Sequence, residues 1–237
     1  MSGRVIFLLE EPSMKAMLAE YLPRLVPGWI QGQHFLLLPH QGKSDLDKSI
    51  PVKLKAWQEP GARFVIVRDN DNADCLALKA RLQTMCATSG RKTLIRLVCQ
   101  ELESWYLADP DALIAAYPEA QKKIRALAKR FPDPDECQKP SHELERNIKD
   151  FQKNEGARRL GRLLDADRAT SRSLKVFAQG VRMLAERAWR NFSDISLRQS
   201  LCPILFISLN HTKLSRSITI RISVISDKHR RMANFPE

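Results

Sequence analysis

The chain is short of the residues that build metal cages and cofactor clamps. Its five cysteines, at positions 75, 86, 99, 137 and 202, are odd in number and form no Cys-x-x-Cys pair. A zinc ribbon and a paired disulfide framework are therefore not expected, and reduced, mostly buried thiols in a cytoplasm are. The histidines at 34, 40, 142, 211 and 229 show no ligand spacing. There is no Gly-x-Ser-x-Gly elbow, no Walker-type phosphate loop and no Rossmann glycine fingerprint, so neither a serine-hydrolase triad nor a P-loop nucleotide site has support. Long apolar runs are missing too. The run at residues 201–209 is too short to span a bilayer. The one at 5–9 meets Glu10-Glu11 at once, which no signal peptide does. The expectation is a cytoplasmic protein without a membrane segment.

What the chain has is an ordinary globular composition with a basic surplus. Its 237 residues, 43% hydrophobic and 28% charged, can bury one good core with an appended subdomain. The net charge of +12 fits a polyanionic partner. The surplus is spread along the chain, however: 14 basic against 9 acidic residues in 1–100, 18 against 15 in 101–190, and 7 against 3 in 191–237. A solvated surface would account for it equally well.

The first hundred residues alternate between strand and helix patterns. Apolar runs at about 4–9, 34–38, 63–68 and 93–98 read as strands buried on both faces, as in a parallel sheet covered by helices. Between them lie a helix from Pro12, closed by Pro23 and Pro27-Gly28; a helix to Trp57 capped by Asp45 or Asp47; and a helix over 73–88. The β-α-β-α-β-α-β order predicts an α/β core at 1–107. Helical patterns dominate from 108 to 190, one of them capped by Ser141, and predict an extension packed on the core. Residues 191–237 differ: all nine glycines lie at or before Gly180, and eight serines crowd this last stretch. The alternation at 217–225 fits an amphipathic edge strand, a poorly structured tail or a frameshifted terminus, and we read the segment as a non-catalytic appendage.

Acidic clusters stand where these strands end: Glu10-Glu11 after the first, Asp69-Asn70-Asp71 after the third, Glu101-Leu102-Glu103 after the fourth. In open α/β sheets ligands bind beyond the carboxyl ends of the strands. Carboxylates gathered there suit a hard cation, which takes oxygen ligands and keeps several waters. Each cluster also has a plainer reading. Asp-Asn-Asp-Asn is good turn chemistry, and a glutamate ahead of a helix is favoured by the helix dipole. Extended geometry would put Asp69 and Asp71 on one side. Glu101 and Glu103 would face one way if extended and diverge on a helix. Trp105 and Tyr106 read as core. For phosphate chemistry, Lys139, Lys153, Arg158, Arg159 and Arg172 offer cations, each of which is also a good surface charge.

With these residues assembled, the chain resembles a bacterial and archaeal group of TOPRIM-like proteins, domain-of-unknown-function family 4276. The matching strings are Phe7-Leu8-Leu9-Glu10-Glu11-Pro12-Ser13-Met14-Lys15, Gly42-Lys43-Ser44-Asp45-Leu46 and Val67-Arg68-Asp69-Asn70-Asp71. Cys99-Gln100-Glu101-Leu102-Glu103-Ser104-Trp105-Tyr106-Leu107, Lys139-Pro140-Ser141 with Glu143-Leu144, Phe151-Gln152-Lys153 and Ser171-Arg172-Ser173 follow. They cover roughly residues 3–185 and leave the tail outside. The TOPRIM fold occurs in topoisomerases, primases, recombination proteins and overcoming-lysogenisation-defect nucleases. Its glutamate after the first strand and its Asp-x-Asp after a later one map onto Glu10, Asp69 and Asp71. Where that fold has a small residue after the glutamate, this chain has Glu11, which leaves open which of the two enters the site.

The resemblance implies a TOPRIM-like, mainly parallel sheet with a helical second half, and a Mg²⁺- or Mn²⁺-dependent phosphodiesterase acting on DNA or RNA. Asp69, Asp71, Glu101 and Glu103 would form the metal shell; Glu10, Glu11, Lys153 and Arg172 would be the catalytic set. Relatives often serve beside an ATPase in defence against phage or mobile elements. With no P-loop here, the ATPase would be a separate partner. A homo-oligomer is compatible with the sequence. The alternative is a non-catalytic subunit that keeps the fold to bind an ATPase or nucleic acid.

Overall fold

The structure, a computed structural model, describes residues 3–200; the 217–225 alternation lies outside them. Four strands, β1 (Val5–Leu9), β2 (Phe35–Pro39), β3 (Arg63–Asp69) and β4 (Thr93–Val98), form one sheet in the order β2-β1-β3-β4. Every pairing is parallel; Leu9 lies between Pro39 and Val67, and Asp69 lies beside Val98. The connections are α1 (Pro12–Leu25), α2 (Lys43–Ala56) and α3 (Cys75–Ala87). The expected alternation and parallel sheet are therefore present. Six helices follow among the described residues: α4 (Glu103–Leu107), α5 (Pro110–Ala116), α6 (Gln121–Arg130), α7 (Pro140–Asn147), α8 (Lys153–Gly161) and α9 (Arg172–Ser200). No helix among the described residues is long and apolar enough to cross a membrane.

The strands read as unbroken apolar runs because both faces of the sheet are covered. Successive side chains on a strand point to opposite faces, and the two faces feed two separate cores. Val5, Phe7, Leu9, Val65 and Val67 join α1 and the helical second half. Ile6, Leu8, Phe64, Ile66 and Ile95 join Leu46, Ile50 and Leu54 of α2 and Leu78 and Leu82 of α3. Each such side chain contributes about 1.5–3 kcal/mol when fully buried, so a one-residue slip of a strand would forfeit several at once. Trp105 and Tyr106 are fully buried, as expected of core.

Local starts and stops differ from expectation where tertiary contacts outweigh local signals. Pro23 lies inside α1 instead of closing it. A proline in a helix interior costs about 3 kcal/mol, less than the burial of Tyr21, Leu22 and Leu25 on the same helix gains. Neither Asp45 nor Asp47 caps α2. The cap is Gly42, at φ 92°, a left-handed conformation open to glycine. Asp45 instead reaches back to accept from the Gln41 N–H at 2.9 Å. Ser141 does not cap α7, which starts one residue earlier with Lys139 at the cap. The Ser141 N–H is taken by Glu101 Oε2 at 2.9 Å, a long-range partner that local sequence does not reveal.

Helix α8 lies directly on α1 and reaches it at Gly161, where a methyl group would run into the backbone carbonyl of Met17. Because backbone cannot yield as a side-chain tip can, Gly161→Ala should destabilise the protein by about 1–3 kcal/mol. A urea titration compared with wild type measures this, and an unchanged midpoint would show that the two helices separate freely.

Candidate metal and phosphate centre

The centre begins with two carboxylates that the sheet brings side by side. Glu10 follows β1 and Asp69 ends β3, and these strands are neighbours. Glu10 Oε2 accepts the Asp69 N–H at 3.0 Å. Both side chains are buried, and Asp69 Oδ1 has no hydrogen-bond partner. Burial pushes the Glu10 carboxyl up to about 7, with Asp71 and Glu11 adding to the rise and the Asp69 N–H and Arg68 opposing it. Burial raises Asp69 well above the usual carboxylate range, and the charges of Glu10, Glu11, Glu103 and Asp71 raise it further.

A second pair arrives with the helices. Glu11 caps α1, and its carboxylate accepts from the Ser13 hydroxyl. Glu103 opens α4, is fully buried and leaves both carboxylate oxygens without a hydrogen-bond partner. Burial pushes Glu103 up to about 7, partly offset by Lys153. Lys153, the first residue of α8, stands between the two, 3.5 Å from Glu11 Oε2 and 3.8 Å from Glu103 Oε1. Burial pulls its pKa down, but Glu103, Glu11, Asp69 and Glu101 outweigh that and leave it raised. The Tyr106 hydroxyl is buried without a partner. Burial raises its pKa strongly, as do the charges of Glu103, Glu11 and Asp69.

The remaining expected residues lie further out. The extended geometry foreseen for Asp69-Asn70-Asp71 stops at Asp69, because Asp71 and Asn72 are left-handed, at φ 47° and 61°. Asp71 turns to Lys43, 3.1 Å away. Glu101 is engaged by the Ser141 N–H and fixes α7. Arg172 is exposed at the start of α9 and makes no ion pair among the described residues. Its neighbours Ser171 and Ser173 are the anchored ones, both bonded to Asp135. The structure thus brings together Glu10, Glu11, Asp69, Glu103 and Lys153, sets Asp71 at the rim, and leaves Glu101 and Arg172 outside that contact set.

These residues fit a hard divalent cation. Leaving a buried carboxylate oxygen unpartnered is costly, and Asp69 and Glu103 present three such atoms. Among the described residues no three His, Cys, Asp or Glu side chains are drawn tightly enough to enclose an ion by themselves. Mg²⁺ does not need such a cage, since it binds through one or two carboxylates plus waters and substrate phosphate.

Arg68 lies in the apolar run of β3 and is assigned no role from the sequence. It is 5% exposed, with its guanidinium 2.9 Å from Asp47 and Nε 3.8 Å from Glu10. The available signal was the arginine itself: in a strand buried on both faces, a permanent charge must have a carboxylate partner. Ser13 and Tyr106 carried no comparable signal.

A family model, "Domain of unknown function (DUF4276)", matches residues 9–182, and the chain belongs to that family. No curated protein matches it. Among solved structures the chain is similar to the C-terminal region of the Burkholderia pseudomallei OLD protein. Identity is 16%, the TM-score is 0.43, and the match covers 76% of this chain and 100% of that one.

The raised acids set a sign for pH dependence. Glu103 has an ordinary value of 4.5 and lies near 7 in the fold, so folding takes up a proton between those limits. The stability that goes with its neutral form is complete below pH 4.5 and lost as pH rises through about 7. Without divalent cations, Glu103→Gln should therefore be more stable than wild type by about 1–2 kcal/mol above neutrality. The gap should close toward acid pH. Denaturant titrations across that range check it; a variant less stable at pH 8 would mean that the Lys153 ion pair outweighs the burial cost.

Proposed function

We propose that this protein is a divalent-metal-dependent phosphodiesterase acting on nucleic acid. The observation that carries the reading is the set of buried oxygens on Asp69 and Glu103 that accept no hydrogen bond, beside the Lys153 ammonium and beyond the carboxyl ends of parallel strands. Asp69, Asp71 and Glu103 would hold Mg²⁺ or Mn²⁺, with Glu101 steadying the neighbouring helix. Bound there, the cation would polarise a phosphoryl oxygen and lower the pKa of a water. Glu10, held near neutrality, suits a general base that takes a proton from water and later returns it to the leaving oxygen. Lys153 would offset the charge that builds on the phosphate, while its pairing with Glu11 keeps it in place. Exposed Arg172 suits contact with the strand away from the reacting phosphate.

A role beside an ATPase, in defence against phage or mobile elements, belongs to the same proposal. The reading is tested with purified protein, plasmid and tRNA in Mg²⁺, Mn²⁺ or EDTA. Cleavage should need the metal, and Asp69→Asn, Asp71→Asn and Lys153→Met should each lower it about a hundredfold or more while circular dichroism stays native. A fully active Asp69→Asn variant would end the metal-centre reading. Wild type that binds nucleic acid but never cleaves it would establish the non-catalytic subunit instead.

A further inference from the structure

We propose that the cavity between α2 and α3 is a second phosphate site, which seats a backbone or terminal phosphate of the nucleic-acid strand beside the carboxylate centre. The inference rests on the nucleic-acid reading above but is argued from different residues. The cavity, about 520 Å³, is lined by Lys43, Ser44, Arg68, Asn70, Asp71 and Arg81 among others. That volume lies within the roughly 300–1,000 Å³ of small-ligand sites.

The cations are arranged in an unusual way. One carboxylate, Asp47, receives two guanidiniums: Arg68 at 2.9 and 3.1 Å and Arg81 at 2.8 Å. The trio is left with a net positive charge. Arg68 is more than nine-tenths buried, and its Nε faces Glu10 at 3.8 Å without a hydrogen bond. Arg81 is half exposed and gives Asp47 a single bond. A guanidinium has five N–H donors in a fork that matches phosphate. The third cation, Lys43, sits at the first position of α2. That helix begins at Gly42, which has no side chain to cap it, and carries Asp45 in its first turn.

The acids around the cavity are already engaged. Asp74 accepts the Ala77 N–H at the start of α3, Asp47 holds both arginines, and Asp71 holds Lys43. That last pair links the two sites. A cation on Asp71 would release Lys43 toward an anion in the cavity, so each ligand should tighten the other. Among the described residues no aromatic side chain lines the cavity, so none of them would stack a base there. The site would read phosphate and not sequence.

The test is binding, not turnover. Anisotropy with fluorescein-labelled single-stranded and duplex oligonucleotides in EDTA gives Kd for wild type, Arg81→Gln and Arg81→Glu. Arg81 is exposed, so these variants should fold. Arg81→Gln should weaken Kd about tenfold and make the log Kd against log salt slope shallower by about 0.7–0.9. Arg81→Glu should weaken it further. Millimolar inorganic phosphate should raise the Tm of wild type but not of Arg81→Gln, a readout that a merely structural tie between α2 and α3 would not move. Oligonucleotides with a 5′-phosphate or a 5′-hydroxyl separate the two phosphate sources: a larger loss on the former marks a terminal phosphate, an equal loss an internal one. Unchanged Kd and phosphate shift in Arg81→Gln would overturn the site even if cleavage is found. A wild type that binds through Arg81 but never cleaves would keep it and remove the catalytic reading.

Discussion

The fold is organised around a repulsion. A parallel sheet ends its central strands together, and here Glu10 and Asp69 come out at that end, with Glu11, Asp71 and Glu103 close enough to raise the pKa values around them. In a low-dielectric site, like charges a few ångströms apart cost several kcal/mol, comparable with a whole domain's net stability. The surrounding contacts read as responses to that cost. The Asp69 N–H serves Glu10, Ser13 serves Glu11, and Lys153 reaches both Glu11 and Glu103. Arg68 is buried against Asp47 within reach of Glu10. Three carboxylate oxygens on Asp69 and Glu103 still lack a hydrogen bond.

Two groups of residues meet at Asp71. On one side lie the buried acids and Lys153; on the other lies the cavity with Lys43, Arg68 and Arg81. The left-handed turn that carries Asp71 and Asn72 is pinned by Gln100, whose carbonyl takes the Asp71 N–H and whose side chain takes the Asn72 N–H. Gln100 is itself left-handed, at φ 64°. Such conformations cost about 1 kcal/mol or more each and persist where the surroundings over-determine them. The β4–α4 connection thus reinforces a loop whose Asp and Asn residues already favour a turn, closed locally by the Ala73 N–H on the Asn70 carbonyl.

What could be read beforehand follows from how local each cause is. The sheet was legible because strands buried on both faces must be apolar at every position, as Val5 through Leu9 are. The acids were legible because chain position at a strand end fixes their location. Helix caps were not: Gly42 and Lys139 took the places expected of Asp45 or Asp47 and Ser141, since the competing carboxylates, Asp47 and Glu101, were drawn to Arg68, Arg81 and the Ser141 N–H from distant segments. Glu103 could not be told from Glu101 by pattern, because burial depends on where α4 packs. Arg172 shared a motif with two serines, and those serines hold α9 in place while the arginine faces water.

The position of Lys153 in the chain has a consequence for the order of folding. The sheet and its acids are complete by Val98 and Glu103, while the ammonium that sits between Glu11 and Glu103 belongs to α8 and reaches them only when that helix docks on α1. A chain emerging from its N-terminus therefore has to close a sheet whose end is negatively charged before that compensation is available. Protons or dissolved cations held by the acids would ease that stage.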